Sequence, residues 1–172
     1  AIGRGVLGFT DALEDLSPDV LLLLGDRFEL LCAAASALVM RIPIVHIHGG
    51  ETTERAFDEA IRHSITKMSA LHFVAADTYR QRVIQLGEDP NTVHVVGGLG
   101  VDAIAQTPLM TSTALEEHLG IRLLNRSLLV TFHPVTLDFN SSEDQLQELL
   151  AALEEFADTT IIMTKPNADT EG

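Results

Sequence analysis

The sequence has no tryptophan and one cysteine in 172 residues, and aromatic side chains make up only 5% of it. With one cysteine, no intrachain disulfide can form. Cys32 lies inside an apolar run over residues 30–35, so it reads as a buried small hydrophobe, and a reducing, cytoplasmic location fits. Basic residues are also scarce: Lys plus Arg number 11 against 25 Asp plus Glu, a net charge of −14. That balance excludes nucleic-acid and membrane-surface binders, which work through an excess of positive charge. One anionic small ligand is still compatible with it, held by local arginines and helix N-termini. Long hydrophobic runs are missing. The longest, near residues 21–24 and 30–40, fall short of the ~20 residues a membrane span needs, and no signal-peptide pattern opens the chain.

What is present is a hydrophobic content of 46%, which excludes disorder, and a regular alternation of strand and helix patterns. Leu7, Leu13 and Leu16 predict a helix ended by Ser17-Pro18. The unbroken apolar run over residues 20–24 predicts a strand covered on both faces. A helix follows over 28–40, a strand over 44–48, a helix over 58–69 and a strand over 71–75. Asp77 is placed to cap a helix that Gly87 stops, and a strand over 93–96 precedes Gly97-Gly98 and a short helix. Further strands are predicted over 128–132 and 160–163, with capping spacings at Thr113/Glu116 and Ser141/Asp144. Such alternation means βαβ units, a parallel sheet and right-handed crossovers, here with helices expected on both sheet faces. We assign residues 1–106 to a first α/β domain, 107–112 to a linker and 113–172 to the start of a second, with the strand over 128–132 outside the first sheet.

Ligands in such sheets bind at the C-terminal strand ends, and several candidate residues fall there. Asp26 follows the first strand; it is either a cleft carboxylate or an N-cap for the next helix. His46 and His48, two apart on a strand, are expected on the same side. With Glu51 they imitate a metal set, but no spacing fixes a third ligand, and no metal is assigned. Asp58 and Arg62 lie one helical turn apart, which suits a surface ion pair or an arginine aimed at phosphate beside a proton-transfer carboxylate, with His63 adjacent. His133 precedes Pro134, which imposes extended backbone on it; it is a candidate general acid or a packed turn residue. Asn167 and Asp169 suit sugar hydroxyls or plain turn chemistry. Neither a dinucleotide fingerprint nor a phosphate-binding loop motif is present.

In order along the chain stand Gly25-Asp26-Arg27-Phe28-Glu29, His46-Ile47-His48-Gly49-Gly50-Glu51, the block over residues 58–69, His133-Pro134-Val135-Thr136 and Pro166-Asn167-Ala168-Asp169. Together they resemble the UDP-N-acetylglucosamine 2-epimerases, in particular their hydrolysing branch. The resemblance implies a glycosyltransferase-B-type fold of two Rossmann-like domains, the second incomplete here, with a UDP-sugar as the partner and no cofactor. It implies removal of the C2 proton, anti elimination of UDP to a 2-acetamidoglucal, and hydration that releases a free 2-epimerised sugar such as N-acetylmannosamine. Asp26, Asp58, Arg62 and His133 match its catalytic positions. Arg27, His48, Glu51, His63 and Asn167 are assigned to substrate contact. A cytoplasmic homo-oligomer is implied for the full-length form.

Two positions depart from the family pattern: His48 stands where many relatives have glutamate, and Arg55 where a small residue is expected. Family members are longer, so an internal fragment inactive by itself is expected. Competing readings are the same chemistry on a UDP-diacetamido-trideoxyhexose, a non-hydrolysing epimerase, and a non-catalytic nucleotide-sugar-binding domain.

Overall fold

A computed structural model describes residues 1–53, 56–133 and 142–165. The chain divides into two compact units, Ala1–Gln106 and Thr107–Gly172.

In the first unit, helix α1 (Ile2–Leu16) ends where Ser17 turns left-handed at φ 42° and returns its N–H to Leu13 O. Strand β1 (Leu21–Leu24), helix α2 (Phe28–Val39), strand β2 (Ile44–Ile47), helix α3 (Asp58–Met68), strand β3 (Leu71–Val74), helix α4 (Asp77–Gln85), strand β4 (Val93–Val95) and helix α5 (Leu99–Gln106) follow. The four strands are all parallel, in the order β1-β2-β3-β4. Asp77 enters as the first helical residue of α4 rather than as its cap, which is Ala76.

The strand order decides which face is covered. Every crossover steps in the same direction, so right-handed connections put α2, α3 and α4 on one face. Leu23, His46, His72 and Val93 stand in register on that face, and all four are buried. Leu13 of α1, Ala33, Ala34 and Ala37 of α2 and Ile65 of α3 join Leu23 and Ile44 in one apolar cluster. The small alanines let α2 lie close to the strands. On the opposite face Leu22 and Leu24 remain 60% and 52% exposed, and α5 buries no residue. The expectation of helices on both faces, with a first strand buried on both sides, is therefore corrected among the described residues. Periodicity reports that a strand is apolar on both faces; it does not report whether the chain in hand supplies both covers.

The second unit holds helix α6 (Ser112–Leu119), strand β5 (Ser127–Val130), helix α7 (Ser142–Glu154) and strand β6 (Thr160–Met163). β5 pairs in parallel with β6, from Ser127 against Thr160 to Val130 against Met163. The cap of α6 is Thr111, whose Oγ1 accepts the Ala114 N–H at 3.2 Å, and Gly120 closes the helix at φ 66°. The Thr113/Glu116 spacing is thus not a capping box: Glu116 reaches forward and accepts the Leu123 N–H at 2.7 Å. Ser141 lies outside the described residues.

Candidate active site

The first unit gathers its polar groups at the C-terminal ends of β1 and β2 and along α3. Gly25 turns the chain off β1 at φ 90°, a conformation glycine takes without a Cβ penalty, and its N–H donates to Ile47 O at 3.0 Å. This turn presents Asp26, whose carboxylate accepts from Arg62 Nη2. The cap of α2 is Arg27, and no side chain caps that helix. Asp26 is therefore the ion-pair partner of Arg62 and not a helix cap.

Arg62 is 6% exposed. Helical spacing predicts Asp58, one turn back, as the partner of its guanidinium; its ion pair among the described residues is with Asp26. The physical reason is desolvation: a buried guanidinium needs a close acceptor, and the Asp26 carboxylate at the strand end supplies one. Nη2 also donates to Thr53 Oγ1 at 3.2 Å. Nε and Nη1 are buried without a hydrogen-bond partner among the described residues. Two unused donors on a buried cation fit an anionic oxygen ligand. Asp58 opens α3 and is half-buried.

His46 and His48 do not share a side. β2 ends at Ile47, and His48 takes φ 63°, which turns its ring out of the strand alternation. Histidine tolerates this region better than most residues, though rarely. His48 Nδ1 lies 2.6 Å from Glu51 Oε1, and its backbone N–H still donates to Phe73 O at 2.9 Å. His46 remains in the strand with its ring buried; Nε2 donates to Gly25 O at 2.8 Å and Nδ1 lies 3.1 Å from Thr66 Oγ1. Burial pushes its pKa down to about 4, the charges of His72 and Arg62 add to that, and the Gly25 carbonyl and Asp26 oppose it.

Among the remaining candidates, Arg27 Nε stands 3.3 Å from Glu29 Oε2 at the surface. His63 Nε2 is 3.6 Å from Glu59 Oε1 on the same helix. His133 belongs to the second unit and is exposed, three residues past the end of β5. Asn167, Asp169, Arg55 and Pro134 lie outside the described residues. Thr53 and Thr66 carry contacts that sequence reading did not single out. Thr66 had a signal, because it stands one turn after Arg62; Thr53 sits outside helix and strand and had none. Among the described residues no group of three or more His, Cys, Asp or Glu is arranged to hold a metal ion, and no helix is long and apolar enough to cross a membrane.

The whole chain, residues 1–172, matches the protein family described as UDP-N-acetylglucosamine 2-epimerase. The chain belongs to this family. Among its relatives are the GDP/UDP-N,N'-diacetylbacillosamine 2-epimerase (hydrolyzing) of Campylobacter jejuni, 42% identical over 95% of this chain and 43% of its own length, and the UDP-N,N'-diacetylbacillosamine 2-epimerase (hydrolyzing) of Legionella pneumophila, 42% identical over all of this chain and 45% of its own length. The chain thus spans less than half the length of these relatives. The 2-epimerase fold is also seen in the UDP-GlcNAc 2-epimerase of Neisseria meningitidis bound to UDP-GlcNAc, with a TM-score of 0.81 at 20% identity over 98% of this chain and 48% of that one. The parallel α/β units are those of a glycosyltransferase-B-type fold.

Proposed function

We propose that the protein carrying this sequence is a hydrolysing 2-epimerase of UDP-activated 2-acetamido sugars, releasing UDP and the free 2-epimer. The observation that carries the reading is Arg62: a buried guanidinium anchored on Asp26, with two further nitrogens unpartnered among the described residues, beside the strand ends where sheets of this class bind ligands. Elimination of UDP needs a base near C2 and donors near the departing diphosphate. In this reading Asp58 takes the C2 proton, and the electron pair left on C2 forms the C1–C2 double bond as the C1–O bond to UDP breaks. Asp26 serves the same elimination. His133, from the second unit, donates to the leaving group. Water then adds across the double bond, its hydroxyl at C1 and its proton at C2 on the opposite face, which inverts C2. Arg27, His48, Glu51, His63 and Asn167 are assigned to sugar-nucleotide contact.

The names of the Campylobacter and Legionella relatives support N,N'-diacetylbacillosamine as the sugar ahead of N-acetylglucosamine. Comparing kcat/KM for the two UDP-sugars, in a full-length protein that carries this sequence, tests the assignment. At least tenfold preference for the diacetamido sugar is expected. Equal or reversed preference rejects that choice, and no UDP release from either rejects the reaction.

A further inference from the structure

We propose that His46 is a positioning residue for the Asp26–Arg62 pair: without meeting the sugar nucleotide, it ties the turn beneath Asp26 to the helical turn that follows Arg62. The inference rests on the proposed function and goes beyond it, because it concerns a fully buried residue that the proposed chemistry does not use.

The geometry carries it. A carbonyl oxygen only accepts, so the 2.8 Å contact to Gly25 O makes Nε2 the protonated nitrogen. In the neutral ring Nδ1 is then an acceptor, and Thr66 Oγ1 stands 3.1 Å from it. The Thr66 hydroxyl also lies 3.0 Å from the Arg62 carbonyl, so its single proton is shared between the two acceptors. One arm of the imidazole therefore ends on the peptide directly before Asp26, and the other on the helix turn directly after Arg62. His46 and Thr66 are both 0% exposed. The loop after β2 presses on the link: a Cβ on Gly49 would come to 3.1 Å from both His46 Nδ1 and Thr66 Oγ1.

A comparison inside the same sheet shows that burial alone does not select these two partners. His72 is the neighbour of His46 in register and is equally buried, yet its Nε2 faces the Glu88 carboxylate at 3.3 Å and its Nδ1 makes no hydrogen bond among the described residues. The histidine bonded at both ring nitrogens is the one that lies between the two carriers of the ion pair.

The first test does not need turnover. With 15N-labelled arginine, the hindered guanidinium rotation of Arg62 is read in the full chain. It speeds up in His46→Leu and Thr66→Val. It is retained in His46→Gln, which can present an amide N–H to Gly25 O, in Thr66→Ser, and in the control His72→Leu. Unchanged rotation in His46→Leu and Thr66→Val overturns the proposal, whatever reaction the protein performs. The second test uses a full-length protein carrying this sequence. His46→Leu and Thr66→Val lower kcat for UDP release by on the order of 10–10²-fold, the cost of a misplaced catalytic group, with KM within about threefold. Thr66→Ser and His46→Gln recover most of it, and His72→Leu stays near wild type. Equal losses in Thr66→Ser and Thr66→Val, tracking Tm, identify plain core packing and overturn the proposal. Absence of UDP release by the wild type rejects the proposed function; the Arg62 rotation rates then decide the role of His46 by themselves.

Discussion

Arg62 and Asp26, 36 positions apart in the sequence, form the ion pair that joins α3 to the end of β1. Their side chains are 8% and 22% exposed. That degree of burial makes the pair different in kind from a surface ion pair, whose net value is about 0–1 kcal/mol.

A double-mutant cycle reads this directly. Removing one partner of a partly buried pair strands the other charge, so Asp26→Asn and Arg62→Met should each cost roughly 1–3 kcal/mol in urea denaturation. The double variant should lose less than the sum, with a coupling above about 1 kcal/mol. Additivity within about 0.3 kcal/mol would mean that the two side chains ignore each other.

Acid should weaken the first unit through its buried histidines. The His46 pKa is lowered from 6.5 to about 4, and that of His72 is also lowered, by burial first and against the pull of Glu88. Well above the ordinary histidine pKa of about 6.5, neither folded nor unfolded chain binds a proton at these rings. As pH falls from about 6.5 towards 4, the unfolded chain binds protons that the folded chain does not, so stability drops. For His46 alone the loss is on the order of 3 kcal/mol by pH 4. His46→Gln should flatten that part of the stability–pH curve; an unchanged slope contradicts the assignment.

Two glycines with left-handed backbone should respond unequally to alanine. Gly50 has φ 77° and Gly97 has φ 82°. A Cβ on Gly50 would collide with the Tyr79 carbonyl, whereas nothing lies within 4 Å of one on Gly97. Gly97→Ala should cost about 1 kcal/mol for conformation alone. Gly50→Ala adds overpacking of roughly 1–3 kcal/mol. Similar midpoints for the two variants in thermal melts would contradict a close Gly50–Tyr79 approach.

In the proposed mechanism Asp58 is the base for C2. In a full-length protein carrying this sequence, Asp58→Asn should lower kcat by ~10²–10⁴-fold with KM little changed, at a Tm near that of the wild type. A near-normal kcat removes Asp58 from the mechanism.

Much of the fold is legible in the sequence because local rules dictate it. The unbroken apolar run over residues 20–24, the spacing of Leu7, Leu13 and Leu16 and the stop at Ser17-Pro18 each place an element without reference to the rest of the fold. The partner of Arg62 is not legible. Helical spacing puts Asp58 on the same face, but burial favours the carboxylate of a strand end far away in sequence. His48 departs from its expected side for a similar reason: alternation holds only while the strand lasts, and β2 stops one residue earlier at Ile47. The role of His46 needs three elements at once, β1, β2 and α3, and no window of sequence contains them.

The most direct measurement is the reaction run in D2O, on a full-length protein carrying this sequence, with the UDP-2-acetamido sugar as substrate and NMR of both products. The proposed elimination and hydration predict equimolar UDP and free 2-epimer, with one deuterium at C2 from the solvent. UDP release with the original proton still on C2, or reversible epimerisation of the UDP-sugar without free UDP, would contradict them.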